Sequence, residues 1–189
     1  MEAFLEPIKK YRDKKHIEIE LRLGKVNGNM FDTNVGKDAF TKVMKGLNAF
    51  KDWEQIKFTE DEVFYWSNHV RCIYEGDLTT YQKKSPVVKQ NIKLNKAFDV
   101  RLGISQEIPC QEQTTDATHT VSRKRWSFLR KNVRIDMTIV MGDPIDKDVE
   151  DDTKYQIELE LIDVSSDQLI FSAMHKVLNV LHLLNVSKC

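Results

Sequence analysis

Cysteine is scarce in this chain, and the few cysteines form no recognisable pattern. The 189 residues include three of them, Cys72, Cys110 and Cys189. They are odd in number and lack the spacing of a zinc site, so we expect buried or free thiols in a reducing compartment and no disulfide framework. Neither Cys72 nor Cys110 begins a Cys-x5-Arg loop, which argues against a phosphatase that attacks with a cysteine thiolate.

Long apolar runs are also missing. The first fifteen residues are charged throughout and have no apolar stretch of the kind that a signal peptide needs. The segment Leu169–Leu184 is interrupted by two histidines, a lysine and an asparagine, so it does not qualify as a membrane span. Because no low-complexity tract or linker is visible either, we expect one domain over residues 1–189 that makes no membrane contact.

The chain also lacks an excess of charge of one sign. The 29 Lys and Arg residues equal the 29 Asp and Glu residues in number, which argues against a general nucleic-acid coat that binds through net positive charge. The balance nevertheless conceals segregation along the chain. Six basic residues lie in Tyr81–Arg101 and six more in Thr120–Asp136, each with a single acid, whereas acids concentrate in Asp146–Asp163. Opposite charges on different strands suit a site that holds a metal and a polyanion together.

Two short segments near the ends of the chain carry regularly spaced acids. Side chains alternate between the two faces of a β-strand, so each segment presents its polar residues on one face. The two polar sets are Glu18, Glu20 and Arg22, and Gln156, Glu158 and Glu160. If both strands belong to one closed sheet, four carboxylates converge on a wet lumen and need a counter-charge, for which hard divalent cations are the usual solution. The alternative is a pair of half-exposed strands whose acids face solvent.

Three further segments carry ionic residues on one strand face. These sets are Arg123, Arg125 and Ser127; Arg134, Asp136 and Thr138; and Arg101, Gly103, Ser105 and Glu107. Arginines on such faces can bind phosphate oxygens, while Asp136 and Glu107 orient them. Arg123 and Arg125 repel each other unless an anion joins them, which favours a functional role for this pair. We interpret Arg134, beside a turn, as a solvated or ion-paired strand residue.

The periodicity of apolar residues predicts a protein that is mainly β with flanking helices. Helices are expected at Met1–Tyr11, at Gly36–Phe50 and from about Ser166, the last one with a capping box of Ser165 and Gln168. Asn27–Asn34, Cys110–Thr118 and Met141–Thr153 are expected to be loops, and ten short segments are predicted to be strands: His16–Gly24, Trp53–Phe58, Glu62–Ser67, Val70–Glu75, Thr79–Lys84, Val87–Leu94, Phe98–Ile108, His119–Leu129, Val133–Val140 and Tyr155–Asp163. This pattern indicates a β-barrel packed on helices, with a β-sandwich as the alternative.

Four motifs in this order, over most of the chain, resemble the metal-dependent RNA 5′-triphosphatases of the triphosphate tunnel metalloenzyme family, found in fungi, protozoa and large DNA viruses. The motifs are His16–Lys25 (HIEIELRLGK), Thr120–Phe128 (TVSRKRWSF), Arg134–Val140 (RIDMTIV) and Tyr155–Asp163 (YQIELELID). The resemblance implies a closed eight-stranded antiparallel β-barrel, the triphosphate tunnel. It also implies removal of the γ-phosphate from a nascent transcript, the first step of cap synthesis.

The resemblance also implies roles for individual residues. Glu18, Glu20 and Glu160 would bind Mg²⁺ or Mn²⁺, and Glu158 would support the metal or the attacking water. Phosphates would be bound by Arg123 and Arg125, by Arg71, and by one of Lys83 and Lys84. The supporting residues would be Arg22, Arg101, Glu107, Asp136 and Thr138, with a further tunnel acid at Asp61 or Glu62. Two positions depart from the family pattern, since Gln156 replaces a common Glu and Arg123 replaces an expected Lys.

Several functional alternatives remain open at this level. A tunnel enzyme that acts on thiamine triphosphate, inorganic tripolyphosphate or ATP would share the fold, but such enzymes typically begin with Glu-x-Glu-x-Lys, where this chain has Arg22. A non-catalytic polyanion-binding module would need only the charge clusters. The expected partners are the 5′-triphosphate end of RNA, free NTPs and a guanylyltransferase. Because the chain lacks that enzyme's lysine motif, we expect either a stand-alone triphosphatase or an excised domain. The resemblance implies an intracellular location, either the nucleus or a site of viral transcription, and a monomer is favoured.

Overall fold

The computed structural model describes residues 2–94, 97–142 and 153–185. Met1, Cys189 and most of the predicted loop Met141–Thr153 lie outside these ranges. A short 3-10 helix, Glu2–Phe4, precedes three α-helices: α1 Leu5–Tyr11, α2 Lys37–Ala49 and α3 Asp167–Asn185. The nine strands are β1 Ile17–Asn27, β2 Met30–Asp32, β3 Gln55–Tyr65, β4 Val70–Glu75, β5 Leu78–Ile92, β6 Asp99–Pro109, β7 His119–Arg130, β8 Val133–Gly142 and β9 Lys154–Leu161.

Eight of the strands form a closed antiparallel barrel. Their order is β1-β6-β5-β4-β3-β7-β8-β9, and β9 pairs back with β1. The closing seam is short, because it joins only Glu20 to Glu160, Leu21 to Leu159 and Arg22 to Glu158. The predicted barrel is thus confirmed and the sandwich alternative is wrong. β2 stands outside the ring as a hairpin partner of β1.

Three sequence-based boundaries are wrong, and strand pairing explains each of them. The predicted strands Trp53–Phe58 and Glu62–Ser67 are one strand, β3, because eleven consecutive residues of β3 pair with β7. β5 likewise joins two predicted strands across an irregularity between Pro86 and Val88, where the missing proline N–H interrupts the ladder without ending it. β2 lies inside the predicted loop Asn27–Asn34, since Met30–Asp32 folds back onto β1.

The helices also differ from expectation in one detail. Ser166, not Ser165, caps the N-terminus of α3, because the Leu169 N–H donates to the Ser166 Oγ at 3.3 Å and the Ile170 N–H donates to the Ser166 carbonyl at 3.2 Å. Ser165 instead donates its own N–H to Asp163. A hydroxyl three residues before an unpaired N–H is the geometry of an N-cap. None of the described helices is long and apolar enough to cross a membrane.

The hydrophobic core lies outside the barrel, between one half of its outer face and the helices. β6, β1, β9 and β8 point their alternate apolar side chains away from the lumen, and Leu21, Leu102, Met137 and Leu159 are completely buried. Phe4 and helices α1, α2 and α3 cover them. Each such side chain contributes about 1.5–3 kcal/mol of burial free energy. This packing fixes the strands that carry the acidic motifs.

The other side of the barrel, formed by β3, β4 and the first half of β5, has no helix packed on its outer face among the described residues. Ile56, Phe58 and Tyr74 are exposed there. The second half of β5 differs, because Val88 and Ile92 pack against the core. The segment 110–118 crosses part of this face, where the Trp66 indole N–H donates to the Thr115 carbonyl. The two halves of one barrel therefore differ in what supports them from outside.

Candidate active site

The lumen of the barrel is a polar cavity of about 230 Å³. Antiparallel pairing keeps the alternate residues of neighbouring strands in phase, so the polar faces predicted from the sequence all point inward. Every described barrel strand except β6 contributes ionic or polar groups to the lining of this cavity. β6 adds Ser105 and Glu107, which bond the lining residues Glu18 and Arg71. The charged groups that line the cavity are Glu18, Glu20, Arg22, Arg71, Lys84, Arg123, Arg125, Arg134, Asp136, Glu158 and Glu160.

The acids and the bases come from different parts of the ring. β1 and β9 are neighbours and supply Glu18, Glu20, Glu158 and Glu160, which we call the acidic floor. β3 and β4 lie four strands away from β1 and β9, respectively, in either direction. Arg71 projects from this opposite side of the lumen. The barrel therefore places negative and positive charge face to face across a narrow space.

Each of the three predicted metal ligands is paired with a different basic side chain. Lys84 donates to Glu18, and Arg134 donates to Glu160. Arg22 holds Glu20 through two hydrogen bonds of 2.9 and 3.1 Å. It also reaches Glu158 at 3.1 Å, so it ties β1 to β9 at the seam. Charge-assisted bonds of this kind offset part of the repulsion within the acidic floor.

Two carboxyl groups of the floor have a lowered pKa. Burial alone raises the pKa of Glu18, but Lys84 outweighs it by attraction and hydrogen bonding and brings this pKa to about 2. Burial also opposes the charge on Glu158, yet Arg22 and Arg125 hold its pKa below the usual value. Both groups are ionised at neutral pH, and each can accept hydrogen bonds or bind a cation.

The other two carboxyl groups of the floor, Glu20 and Glu160, have a raised pKa. Burial and repulsion by Glu158 raise the pKa of Glu20, in spite of its bonds to Arg22. Burial raises the pKa of Glu160 to about 7, against the attraction of Arg134. Burial and mutual repulsion thus oppose full ionisation of the acidic floor, and an additional cation would favour its ionised form.

Several arginines of the lumen are also held by acceptors that do not belong to the floor. Asp61 accepts two hydrogen bonds from Arg123, at 2.6 and 3.0 Å, and both residues are buried. Asp136 is buried too and accepts two bonds from Arg134, at 3.0 and 3.1 Å. Arg125 donates its Nε–H to the Thr138 hydroxyl at 3.1 Å. Fixed arginine side chains lose little entropy when they bind an anion.

Arg71 has a feature that bears directly on function. Its Nη2 lies 3.0 Å from Glu107, but its buried Nε–H has no hydrogen-bond partner among the described residues. Leaving a buried charged donor unpaired is unfavourable. Because Arg71 lines the cavity, an anion in the lumen would supply the missing acceptor.

Comparison with known proteins identifies the family of this chain. Residues 31–178 match the family model of the mRNA capping enzyme, beta chain, the mRNA triphosphatases. The chain belongs to this family. The triphosphatase is therefore a hydrolase that acts on the 5′-triphosphate end of RNA. No curated protein sequence matches it.

Solved structures show the same fold. The S. pombe Pct1 RNA triphosphatase is similar with a TM-score of 0.80 and 17% identity, over 99% of this chain and 93% of that one. The RNA triphosphatase domain of a trifunctional mimivirus mRNA capping enzyme is similar with a TM-score of 0.72 and 17% identity, over 98% and 96% of the two chains. At such low identity the likeness extends to the fold and not to individual side chains.

The structure separates the alternatives that the sequence left at two positions of the triphosphatase. Lys84 faces the lumen, whereas Lys83 is exposed and points outward, so the placement of Lys83 among the phosphate ligands is wrong. The reason is alternation, since neighbours on a strand cannot share a face. Asp61 faces inward by its pairing with Arg123, and Glu62 is exposed.

The remaining predicted site residues lie at or near the lumen. Arg101 is on the inner face but at the rim, where it donates to Asn91 at 2.8 Å and lies over the Phe31 ring. Gln156 lines the cavity and donates to the Thr33 hydroxyl at 3.1 Å. Glu107, interpreted as a tunnel acid, bonds Arg71 and Lys84. The structure brings these groups together, and their catalytic roles stay predictions.

Arg134 is an ion-paired strand residue, as one of the two interpretations had it, and it lines the cavity on the face that it shares with Asp136. Sequence reasoning missed two other polar residues of the lumen. Tyr65 and His119 also line the cavity. No local signal indicates them, because they meet only through the pairing of β3 with β7.

Within the described parts of the chain, no three His, Cys, Asp or Glu side chains converge as closely as metal ligands do. The ion pairs explain this arrangement, because each acid of the floor is drawn toward its own basic partner. Glu18 is held by Lys84, Glu20 by Arg22 and Glu160 by Arg134.

Proposed function

We propose that this triphosphatase removes the γ-phosphate of 5′-triphosphate RNA with Mg²⁺ or Mn²⁺ and leaves a diphosphate end for cap synthesis. One observation carries the proposal: a closed barrel holds an acidic floor opposite Arg71, whose buried Nε–H has no partner among the described residues. A polyanion and a cation together would complete both sides. Glu18, Glu20 and Glu160 would hold the cation.

The donor chemistry of these residues fits a hard divalent cation. All three offer carboxylate oxygens from neighbouring strands, and Glu20 lies directly opposite Glu160 in the seam. Oxygen ligands without a soft partner suit Mg²⁺ or Mn²⁺ better than Zn²⁺. Burial and neighbouring carboxylates raise the pKa of Glu20 and of Glu160, and a bound cation would stabilise their ionised forms. When bound, the cation would supply positive charge to the transferred phosphate.

The basic residues would bind and orient the triphosphate. Arg125 is fixed by Thr138, and Arg123 is fixed by Asp61 through Nε and Nη2, which leaves its Nη1 for a phosphate oxygen. Arg71 would satisfy its Nε–H with another oxygen. These groups hold the phosphates in line and stabilise the charge on the departing diphosphate end.

Glu158 would hold the attacking water. Its pKa is lowered by Arg22 and Arg125, so it is ionised and accepts a hydrogen bond from water at neutral pH. The bond to Arg22 restricts its carboxyl group and thereby fixes where that water sits. A water aligned opposite the leaving diphosphate meets the requirement for in-line phosphoryl transfer.

Three further points extend the proposal. Free NTPs would also be hydrolysed, because the charged groups of the lumen bind the phosphates. A guanylyltransferase would then use the diphosphate end. We expect the triphosphatase at a site of transcription inside the cell, in the nucleus or where a virus transcribes its genome.

Phosphate release tests the proposal. Triphosphate-ended RNA, ATP and tripolyphosphate are compared with Mg²⁺, with Mn²⁺ and with excess EDTA. We expect turnover of RNA with either cation and none with EDTA. Full turnover in EDTA would contradict the role of the cation, and binding without turnover of any substrate would favour a polyanion-binding module.

A further inference from the structure

A stacked aromatic pair lies at one end of the lumen. The rings of Tyr65 and His119 are nearly parallel, with an interplanar angle of 6° and centroids 4.6 Å apart. Both residues line the same cavity as the charged groups. They lie at the mouth where β3 ends and β7 begins. Neither ring is needed to bind a phosphate or a cation.

The pair is held in place by the backbone around it. Tyr65 and His119 are direct partners in the β3–β7 ladder. Thr118 donates both its N–H, at 2.7 Å, and its hydroxyl, at 2.8 Å, to the Tyr65 carbonyl. Tyr65 is half-buried and His119 is exposed, so a flat ligand at the mouth can reach the pair without a rearrangement of the barrel.

Two arginines of the lumen lie near the pair at different depths. Arg71 is the cross-strand partner of Tyr65, so it lies beside the rings. Arg123 comes four residues after His119 on the same strand face, about 13 Å farther at roughly 3.3 Å per residue. Val121 lies between His119 and Arg123 on this face, and Val140 is the cross-strand partner of Arg123. A ligand that starts at the rings therefore meets Arg71 beside them and reaches Arg123 past apolar side chains.

We propose that the Tyr65–His119 pair stacks the nucleobase of the first nucleotide of the RNA while its triphosphate extends to Arg71 and Arg123. The inference rests on the proposed function and adds a second determinant of substrate choice to it. Stacking on aromatic rings is tolerant of base identity, since every base has a π-face. The pair would thus favour any 5′-terminal nucleotide over inorganic tripolyphosphate.

Substrate discrimination provides the first test. The ratio of kcat/KM for triphosphate-ended RNA to kcat/KM for tripolyphosphate is measured for the wild type, His119→Ala, Tyr65→Ala and His119→Trp. We expect each alanine variant to lower this ratio about tenfold, through KM for RNA. His119→Trp should retain the ratio or raise it, because it keeps a flat ring. His175→Ala, an exposed histidine of α3, is the matched control.

A binding measurement separates this inference from the proposed function. A triphosphate-ended oligoribonucleotide with 2-aminopurine as its first base should lose fluorescence on binding, and less so with His119→Ala or Tyr65→Ala. If the wild type hydrolyses nothing, the proposed function fails and the fluorescence alone decides about stacking. Equal loss of activity on both substrates, or quenching that the alanine variants do not change, would show that the pair only stabilises the ladder, and the proposal would be overturned.

Discussion

The helix-covered half of the barrel and its uncovered half belong to one sheet but are stabilised in different ways. β6, β1, β9 and β8 bury their outer faces under three helices and carry the acidic floor inside. β3, β4 and the first half of β5 leave Ile56, Phe58 and Tyr74 exposed outside. Their inner face is held by ion pairs, such as Arg71 with Glu107 and Asp61 with Arg123. Like charges that repel are thus placed where apolar packing is strongest.

The difference has a physical reason. A cluster of carboxylates stays together only if the strands below it cannot move apart, and dense apolar packing provides that rigidity. The uncovered side needs no such support, because its inner face carries Arg71 and Asp61, which are opposite in charge, and no cluster of like charges. The comparison therefore predicts that stability depends on the covered half and that the reaction depends on the inner faces of both.

The strongest way to break this comparison is to remove the same side chain from each half. Leu21→Ala leaves a cavity under the helices and should lower the free energy of unfolding by about 3 kcal/mol or more. Leu78→Ala, at a position 70% exposed, should change it by about 0.5 kcal/mol or less. Denaturant unfolding of both variants measures the difference. Equal losses would show that the covered half is not the main source of stability.

A second test addresses the acidic floor. Glu20→Ala should reduce turnover of triphosphate-ended RNA by about 10²–10³-fold, because one electrostatic stabiliser of the transition state is lost. Stability should hold or rise, since a buried acid with a raised pKa is removed. Glu62→Ala, on the outer face of β3, is the matched control. A Glu20→Ala protein that keeps more than about a tenth of the wild-type rate would contradict the assigned role.

A third test separates the two faces of β7. Arg125→Ala should depress kcat by about tenfold to a hundredfold and affect KM less, if the arginine acts mainly in the transition state. Lys124→Ala changes the neighbouring residue, whose exposed ammonium pairs with Glu60 outside the lumen. It should leave both constants close to those of the wild type. Equal losses of kcat in the two variants would contradict the assignment of Arg125 to the phosphate site.

The smallest effect concerns pH and stability in metal-free buffer. The pKa of Glu160 rises from 4.5 to about 7 on folding. The folded protein therefore keeps a proton that the unfolded chain loses, so this group's contribution to stability falls as pH rises from about 4.5 to 7. Glu160→Gln removes this dependence and should raise Tm by about 2–4 °C at pH 8. The gain should vanish near pH 4.5, and a gain that is independent of pH would argue against the raised pKa.

Glu18 sharpens the same measurement, because its pKa is shifted in the opposite direction. A pKa lowered from 4.5 to about 2 stabilises the fold above about pH 4.5, and this contribution is lost as pH falls toward 2. Glu18→Gln should therefore lower Tm at neutral pH, whereas Glu160→Gln raises it. Thermal unfolding of the two variants across pH 3–8 would show both signs in one experiment. Shifts of the same sign would contradict the assignment of their environments.

Much of the fold and half of the site could be predicted from alternation alone. The spacing of Glu18, Glu20 and Arg22, repeated at Glu158 and Glu160, identified two inner faces before any pairing was known. The motifs on β7 and β8 added Arg123 and Asp136 in the same way. Such patterns are visible because one face of each strand is apolar and the other is polar.

What escaped prediction depends on pairing between distant strands. Whether Lys83 or Lys84 faces inward follows from the register of β5, which is interrupted near Pro86. Asp61 was not separable from Glu62, because the middle of β3 lacks a clear apolar alternation. Tyr65 and His119 are 54 residues apart and meet only in the β3–β7 ladder. Which residues of a strand share a face follows from that strand's own sequence. Which strand lies next to it does not.

The short seam between β1 and β9 also determines when the active site can form during folding. Its two strands lie near opposite ends of the chain, at Ile17–Asn27 and Lys154–Leu161. On a ribosome, Glu18 and Glu20 emerge early but must wait for Glu160, because contacts so distant in sequence form late. Until then β1 and β8 have free edges, and an unpaired edge can join another chain. The last strand therefore both completes the site and ends the risk of misassembly.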